Sequence, residues 1–358
     1  MMSSTQQLRE HGQSIWLDNI TRTLLTSGTL ARYVDELGVT GLTSNPTIFD
    51  KAIEGSDAYD EAIRTSPARG ESLLFELALE DLRAAAHLFR PVHDRTSGMD
   101  GWVSLEVSPD LAHDPATTVA EAVRLHAEAE RPNLFIKIPG TPEGIDAIEE
   151  AIFRGVPVNV TLLFSRHQYL AAAHAYLRGI ERRIAAGLDP DVRSVASVFV
   201  SRWDVAAAEM VPPELRNGLG IAVATETYAA YRGLLASERW QRLRDAGAGP
   251  QRLLWASTGT KDPDASDVLY VEALASELTI NTMPDATLLA FADHGHVPSL
   301  LPGDGGHVEQ TLDRFRQAGV DLDALALRLQ QEGVAAFSAS WAKLLDCIAH
   351  KRERLAAA

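Results

Sequence analysis

The sequence predicts an α/β fold, a closed (β/α)8 barrel with additional helices. Short apolar runs recur along the 358 residues, and most of them are followed by a longer helical pattern. Strands with few alternating polar residues, each followed by a helix, are typical of a parallel sheet covered by helices. Eight such units favour closure into a barrel. An open doubly wound sheet is the alternative, but no glycine-rich phosphate loop follows the first run.

The eight predicted strands share an apolar composition and end at turn or cap residues. Their ranges are 14–20, 39–45, 101–107, 133–139, 157–164, 195–201, 252–258 and 277–284.

Helical patterns lie between these strands, at 26–37 after the first and at 116–129 after the third. A long helical region follows the second strand and is broken near 66–70. After the fourth strand, Thr141 and Pro142 predict an N-cap and a first helical residue. Residues 204–250 predict helices with an elaborated connection.

The whole chain is predicted to form one domain. Its barrel core spans about 14–300, and a C-terminal helical extension of about 304–358 packs on the barrel.

Composition narrows the class of function. Hydrophobic residues make up 46% of the chain, which is typical of a globular protein, and the net charge is −16. That charge opposes a nucleic-acid surface, because phosphate backbones are bound by clustered cations. The single cysteine, Cys347, excludes an intrachain disulfide. The start has no apolar signal segment, and no run approaches the ~20 residues that span a bilayer, so we expect a cytoplasmic protein with neither nucleic acid nor membrane as a partner.

Polar side chains recur where the predicted strands end, which is the face where such barrels carry their sites. Two carboxylates, Asp18 and Glu106, and one lysine, Lys137, converge there. Lys137 lies between two isoleucines, where burial would cost several kcal/mol unless the amine loses its proton. The other polar residues at this end include Asn45, Asn159, Thr161, Ser197, Arg202 and Ser257.

A buried neutral lysine is a nucleophile toward carbonyl groups and forms a Schiff base. The protonated imine withdraws electrons, so that a carbon–carbon bond one atom further along can break or form. Asp18 and Glu106 can supply the acid and base that this chemistry needs. Hydroxyl and amide groups suit a polyhydroxylated substrate, and Arg202 suits a phosphate.

The chain resembles the transaldolases, Schiff-base enzymes of the class I type with a TIM-barrel fold, and in particular the longer bacterial form. The matching motifs occur in order from residue 16 to 295: WLDNI, GLTSNPTIFDKAI, WVSLEVSP, NLFIKIPGTPEGI, VNVTLLFS, VASVFVSRWD, WASTGTKDP and NTMPDATLLAFADHG.

The resemblance implies a role for each matched residue. Lys137 forms the imine, Asp18 is the base at the substrate hydroxyl, and Glu106 acts with Thr161 through a water. The resemblance places substrate hydroxyls or the sugar-phosphate end against Asn45, Asn159, Ser197, Phe199, Arg202 and Ser257. Sugar phosphates would be the partners of a monomer or homodimer, with no cofactor and no metal. The implied reaction, in the pentose phosphate pathway, moves dihydroxyacetone from sedoheptulose 7-phosphate to glyceraldehyde 3-phosphate, giving erythrose 4-phosphate and fructose 6-phosphate.

One position departs from the family pattern. Gly259 stands where many transaldolases carry a second phosphate-binding arginine. Lys261 is the candidate replacement, although a loop lysine before an aspartate is also typical of a solvated side chain.

Three other functions remain as alternatives. A fructose-6-phosphate aldolase of the same superfamily would release free dihydroxyacetone, but Glu106 and Phe199 match the transaldolase pattern, since the resembling aldolases carry glutamine and tyrosine there. His294 and His296 could belong to a metal-dependent lyase, although no third ligand is evident. A sugar-phosphate binder without activity would have lost one of the three charged residues, and all three are present.

Overall fold

The computed structural model describes residues 3–357 and confirms the predicted barrel. Eight parallel strands close in sequence order, and the last strand pairs with the first. The strands are β1 Ser14–Asp18, β2 Val39–Thr43, β3 Trp102–Glu106, β4 Leu134–Pro139, β5 Val158–Leu163, β6 Ser194–Phe199, β7 Gln251–Ala256 and β8 Thr279–Met283.

Helices surround the barrel and connect its strands. They are α1 Ser4–Glu10, α2 Arg22–Thr26, α3 Thr29–Arg32, α4 Pro46–Glu54, α5 Asp60–Thr65, α6 Gly70–Arg95, α7 Pro115–Ala129, α8 Pro142–Phe153, α9 Arg166–Ala185, α10 Ser201–Ala207, α11 Leu219–Ala236, α12 Glu238–Asp245, α13 Leu269–Ala273, α14 Asp285–His294, α15 Val308–Gln317 and α16 Leu322–Ala357. None of these helices is long and apolar enough to cross a membrane, within residues 3–357.

Most strands end one or two residues before the predicted boundary. The predicted ranges include polar residues at their ends, and in the structure these residues leave the strand ladder and form loops or helix starts. Ser201 is an example, because it was predicted to end the sixth strand and instead begins α10. The predicted helix 26–37 is also divided: Gly28 adopts a left-handed conformation at φ +75°, which separates α2 from α3, and a π-helical turn, Tyr33–Leu37, completes the segment.

The predicted cap of α8 is present. The Thr141 hydroxyl accepts from the backbone N–H of Gly144 at 3.0 Å, and Pro142 is the first helical residue. Asn45 caps α4 in the same way, accepting from the backbone N–H of Ile48 at 3.1 Å. These caps fix the loops at the carboxyl ends of β4 and β2.

Alternate strand residues enter the barrel, because side chains of a strand point to opposite faces in turn. A stack of aromatic rings fills the middle of the barrel, with the rings of Trp102 and Phe135 4.0 Å apart and those of Trp16 and Phe135 6.2 Å apart. Two residues further along β1 and β4 lie Asp18 and Lys137. The aromatic layer is therefore the floor on which the charged residues rest.

The C-terminal helix α16 runs against the carboxyl end of the barrel, as the predicted extension requires. It packs against α4, α5, α6 and β5. The hydroxyls of Ser340 and Thr47 lie 3.0 Å apart, and the buried ammonium of Lys351 donates to the carbonyls of Ile53, at 2.8 Å, and Ser56, at 2.5 Å. This helix supplies one wall of the barrel mouth.

Candidate active site

A cavity of about 350 Å³ opens at the carboxyl end of the strands. Nine of the eleven residues predicted for the site line it: Asp18, Asn45, Lys137, Thr161, Ser197, Phe199, Arg202, Ser257 and Lys261. A larger cavity of about 770 Å³ lies at the opposite end, beside Arg252 and Asp100. Those two residues form an ion pair at 3.1 Å that holds the closed end of the barrel. We therefore place the site in the smaller cavity, where the chemistry-bearing side chains converge.

Lys137 is buried at the centre of this cavity. Its ammonium nitrogen lies 2.8 Å from the Oε1 atom of Glu106 and donates to the backbone carbonyl of Ser44 at 2.8 Å. The register explains the first contact, because Glu106 of β3 and Lys137 of β4 are direct neighbours across the sheet. The amine is buried, as its place between two isoleucines indicates, and a carboxylate and a carbonyl reach it.

Glu106 lies beside Lys137, and its side chain is 8% exposed. Burial raises the pKa of Glu106, while the charge of Lys137 lowers it and that of Asp18 raises it. The Oε2 atom has no hydrogen-bond partner among residues 3–357. An unpartnered buried carboxylate oxygen beside an amine is suited to exchange a proton with a bound water or substrate.

Asp18 is the second carboxylate, at the end of β1. Burial at the mouth raises its pKa, and the charge of Lys137 and a hydrogen bond from the Thr43 hydroxyl, at 2.8 Å, lower it. Thr43 also contacts the hydroxyl of Thr282 at 2.8 Å. The two carboxylates thus lie on different strands, Asp18 on β1 and Glu106 on β3 next to the strand of Lys137, and have different hydrogen-bond partners.

Thr161 has a free hydroxyl. Its Oγ1 atom is buried and has no hydrogen-bond partner in the described part of the chain, although it lines the cavity. Its strand is irregular here, because the pairing of β5 with β6 shifts register between Val160 and Leu163, and Leu162 adopts a left-handed φ of +59°. A bulge next to a site re-aims the side chains around it.

Asn159 lies deeper than the prediction placed it. It is fully buried and does not line the cavity. Its amide nitrogen donates to the Ser104 hydroxyl at 3.1 Å, and its amide oxygen accepts from Ser197 at 2.7 Å. Asn159 therefore braces the layer under Lys137, and of this pair only Ser197 reaches the cavity.

Two further cations of the cavity, Arg202 and Lys261, lie at its far end, beyond the ends of β6 and β7. The half-buried guanidinium of Arg202 lies over the ring of Phe199, 5.1 Å from its centroid, and burial lowers its pKa. Arg202 has no hydrogen-bonded or ion-paired partner within residues 3–357, so its N–H donors are free. The hydroxyl of Ser257 contacts that of Ser201 at 2.9 Å. The exposed Lys261 completes this end.

The backbone at Gly259 is not left-handed. A Cβ atom built there would lie 3.3 Å from the Thr287 hydroxyl, 3.4 Å from Pro284 Cγ and 3.9 Å from the Lys261 ammonium. The loop therefore admits a side chain at 259 after a small adjustment, and a cation at this position would point toward Lys261.

The sequence reasoning missed several residues of the site. Thr43, the last residue of β2, and Thr282, the penultimate residue of β8, line the cavity, and no role was predicted for either from the sequence. Lys51 and Phe337 line the cavity from α4 and α16. Lys51 lies in the same motif as Asn45 and four residues after Thr47, which also lines the cavity, so helical spacing places these two side chains on one face. Nothing in the local sequence around Phe337 indicates that it reaches the mouth.

The two histidines considered as metal ligands lie on the surface. His294 contacts Asp267 at 2.9 Å, and His296 contacts Glu272 at 2.6 Å. Across residues 3–357, no group of three or more histidine, cysteine, aspartate or glutamate side chains is arranged to hold a metal ion.

Fold and site together define a class: a (β/α)8-barrel enzyme whose mouth holds a buried lysine beside two carboxylates and a free arginine. The model of the transaldolase/fructose-6-phosphate aldolase family matches residues 15–348, and the chain belongs to this family. The predicted resemblance is thereby confirmed.

Curated relatives match over nearly the whole length. The transaldolase of Thermobifida fusca is 46% identical over 369 residues, which cover 98% of this chain and 99% of the relative. The transaldolase of Saccharopolyspora erythraea is 45% identical, with 99% and 98% covered, and that of Thiobacillus denitrificans is 44% identical, with 96% and 99% covered. These relatives confirm the prediction of an enzyme of the transaldolase type.

Proposed function

We propose that the protein transfers a dihydroxyacetone unit from sedoheptulose 7-phosphate to glyceraldehyde 3-phosphate, giving erythrose 4-phosphate and fructose 6-phosphate, as a step of the pentose phosphate pathway. The observation that carries the proposal is Lys137, buried in the barrel mouth 2.8 Å from Glu106, in the same cavity as Asp18. The names of the curated relatives support the same reaction.

The reaction begins at Lys137. Once its proton has passed to Glu106, the free amine adds to the ketose carbonyl, and loss of water gives an imine. The burial that raises the pKa of Glu106 favours this proton transfer, because it disfavours the ionised carboxylate. A water held between Glu106 and the free hydroxyl of Thr161 would carry protons to and from the carbinolamine oxygen.

Cleavage follows at Asp18. Its carboxylate takes the proton of the hydroxyl beyond the bond that breaks, a carbonyl forms there, and the bonding electrons move into the protonated imine to give an enamine. The aldose phosphate leaves, the enamine carbon attacks the incoming aldehyde, and Asp18 returns the proton to the new hydroxyl. Hydrolysis of the imine then releases the product ketose and the lysine. No cofactor takes part in these steps.

The remaining residues bind the sugar. Asn45, held as the cap of α4 through its amide oxygen, has its amide NH₂ available for a hydroxyl near the imine, and Ser197 presents a hydroxyl from β6. Asn159 contributes by orienting Ser197. Arg202, Ser257 and Lys261 receive the phosphate at the far end of the cavity, where the planar guanidinium can bind two phosphate oxygens.

The test is a coupled assay of the purified chain with fructose 6-phosphate and erythrose 4-phosphate. Formation of glyceraldehyde 3-phosphate that depends on erythrose 4-phosphate supports the proposal. The family also includes fructose-6-phosphate aldolases, and such an enzyme would release free dihydroxyacetone from fructose 6-phosphate alone. Release of dihydroxyacetone at the same rate with and without the acceptor would overturn the transferase assignment.

A further inference from the structure

Gln330, on α16, makes two hydrogen bonds to the strands that carry the reacting groups. The residue is 4% exposed, and its amide nitrogen donates to the backbone carbonyls of Gly140, at 2.9 Å, and Leu162, at 3.0 Å. Both N–H groups of the amide are thus used. Gly140 follows the last residue of β4, three residues after Lys137, and Leu162 follows Thr161 in β5.

The two carbonyls belong to one irregular junction. The backbone N–H of Gly140 donates to the carbonyl of Thr161 at 2.8 Å, which joins the end of β4 to β5. Directly after Thr161, Leu162 has its left-handed φ of +59°, and the pairing with β6 shifts. A leucine in this conformation persists only where its surroundings hold it. Gln330 is one of the groups that hold it, because it binds the carbonyl of Leu162 itself.

A second contact of α16 fits the same junction. Gly333 lies one helical turn after Gln330, and a Cβ atom there would come within 2.9 Å of a methyl carbon of Leu162. The missing side chain makes room for Leu162 under the helix. The surface of α16 therefore matches both the backbone and the side chain of the bulge.

The orientation of Thr161 depends on this junction. Its buried hydroxyl has no hydrogen-bond partner within residues 3–357, so no side-chain contact fixes its direction. Its position follows from the backbone of β5, and that backbone is held at the next residue by Gln330. The same amide holds the end of the strand that carries Lys137.

We propose that Gln330 is a positioning residue for imine formation and hydrolysis, which acts by holding the ends of β4 and β5 so that the Thr161 hydroxyl stays aimed at the space beside Glu106 and Lys137. This inference rests on the proposed function, because it assigns Gln330 to steps of that reaction.

The test is a double-mutant cycle with Gln330→Met and Thr161→Ala. Methionine keeps the volume of the side chain and removes both donors. We expect Gln330→Met to slow imine formation, measured by rapid quench with borohydride, by roughly 10- to 100-fold, since a displacement of about 1 Å near reacting groups has effects of this size. KM should change less than about threefold, because Gln330 does not contact the cavity.

The cycle separates positioning from a general structural role. In the Thr161→Ala background, Gln330→Met should have little further effect on the rate of imine formation, because the group it positions is already absent. Equal slowing in both backgrounds would overturn the proposal, and so would a fully active Gln330→Met. Gln331→Met is the matched control, since Gln331 is the exposed neighbour on the same helix, and it should behave as the unmodified enzyme.

A second variant serves if Gln330→Met does not fold. Gln330→Glu keeps the shape, but an ionised carboxylate cannot donate to the two carbonyls, and a protonated one can donate to one of them. We expect its defect to become smaller as the pH falls, relative to the unmodified enzyme at each pH. A defect independent of pH would count against the proposal. If the unmodified enzyme forms no trapped adduct at Lys137, the proposed function itself is contradicted. If it forms the adduct and only the results for the Gln330 variants differ from those expected, the positioning role alone is contradicted.

Discussion

Glu106 and Lys137 lie side by side on neighbouring strands, with 2.8 Å between the carboxylate oxygen Oε1 and the ammonium nitrogen. Each is buried, so each is the main compensation for the charge of the other. The pair can also become neutral by moving one proton across this distance, which frees the amine for attack. The geometry therefore combines a stable resting state with a nucleophile that is one proton transfer away.

Replacement of Lys137 should abolish turnover and leave the fold intact. Lys137→Met removes the amine, and the buried Glu106 can then take up a proton, so that no unpaired charge remains. Borohydride with fructose 6-phosphate should fix a dihydroxyacetone-sized adduct on the peptide containing Lys137, detected by mass spectrometry. Lys261→Met, at the rim of the same cavity, is the control, and this variant should still form the trapped adduct at Lys137. An adduct on a different lysine would disprove the assignment.

Variants that lack one or the other carboxylate should be slowed at different steps of the reaction. Asp18→Asn is expected to form the imine and to cleave the carbon–carbon bond about 10²- to 10⁴-fold more slowly, which is the usual contribution of a general base. Glu106→Gln should instead slow formation and hydrolysis of the imine. Rapid-quench trapping followed over time shows which species accumulates in each variant. Accumulation of the same species in both would mean that the roles are wrongly divided.

The acid limb of the pH–rate profile should lie at a higher pH than the ordinary pKa values of carboxyl groups. The pKa values of Asp18 and Glu106 are both raised, primarily by burial, and Asp18 acts as a base only when it is ionised. Activity should therefore rise with pH through these raised values. Thr43→Val removes a hydrogen bond to the ionised Asp18 and should move the limb to higher pH by about one to two units, because such bonds contribute about 1.5–3 kcal/mol.

The matched control for this pH shift is Thr282→Val. Thr282 contacts Thr43 and does not contact Asp18, so its loss should move the acid limb less. The measurement is kcat/KM against pH for the three proteins. A shift in the acid direction for Thr43→Val would contradict the role of its hydrogen bond. The same raised pKa values predict that both carboxyls reduce the stability as the pH rises from the ordinary carboxyl range to the raised values, because in that range the folded state retains protons that the unfolded chain has lost.

Arg202 should dominate phosphate binding. Arg202→Ala is expected to weaken the binding of the donor ketose by roughly 2–3 kcal/mol. The substitution removes a charged hydrogen-bond donor that has no other partner within residues 3–357. Lys261→Ala should cost about 1 kcal/mol or less, because its ammonium is exposed. Steady-state kinetics with phosphorylated and unphosphorylated ketoses measure both effects. A larger effect of Lys261→Ala that vanishes with unphosphorylated fructose would make Lys261 the replacement for the missing arginine.

Gly259→Arg should tighten phosphate binding. The backbone at 259 does not require glycine, and the nearest atoms to a new Cβ are 3.3 Å or more away. Gly259→Ala is the control, since it adds the Cβ without the cation. A lower KM for phosphorylated ketose with arginine and an unchanged KM with alanine is the expected result. Equal changes in both variants would indicate an effect of the loop and not of charge.

The buried ammonium of Lys351 should stabilise the docked position of α16. It is 4% exposed and also contacts Asp60 at 2.8 Å, so Lys351→Met leaves a carboxylate and two carbonyls without their donor. We expect a loss of about 3–5 kcal/mol in the free energy of unfolding, measured with urea. Arg316→Met, which removes the surface pairs with Glu309 and Asp313 on α15, should cost about 1 kcal/mol or less. Equal losses would show that burial is not the cause.

The sequence was sufficient to predict the barrel and the charged centre of its site. Apolar runs mark the strands, and every second residue of a strand points into the barrel. Asp18 and Glu106 lie at strand ends and Lys137 lies near a strand end, so the sequence places all three at one mouth of the barrel. Their positions depend on contacts between neighbouring strands, which the order of a (β/α)8 barrel fixes in advance.

Other features depend on contacts that no local pattern contains. Gln330 binds the carbonyl of Gly140 from 190 residues further along the chain. The depth of Asn159 is set by Ser104 and Ser197 on two other strands. The left-handed backbone of Leu162 contradicts the preference of leucine, and α16 contacts it through Gln330 and Gly333. These are tertiary constraints, and a pattern of apolar residues carries no information on them.

The long helix across the mouth also has a consequence for synthesis. All eight strands precede α16 in the chain, so they leave the ribosome first and can begin to fold before that helix exists. In such a nascent barrel, Asp50 and Asp60 lack their lysine partners, and the carbonyls at the ends of β4 and β5 lack theirs. We therefore expect α16 to dock after the strands have paired, so that the wall of the barrel mouth that it supplies is the last part of the site to form.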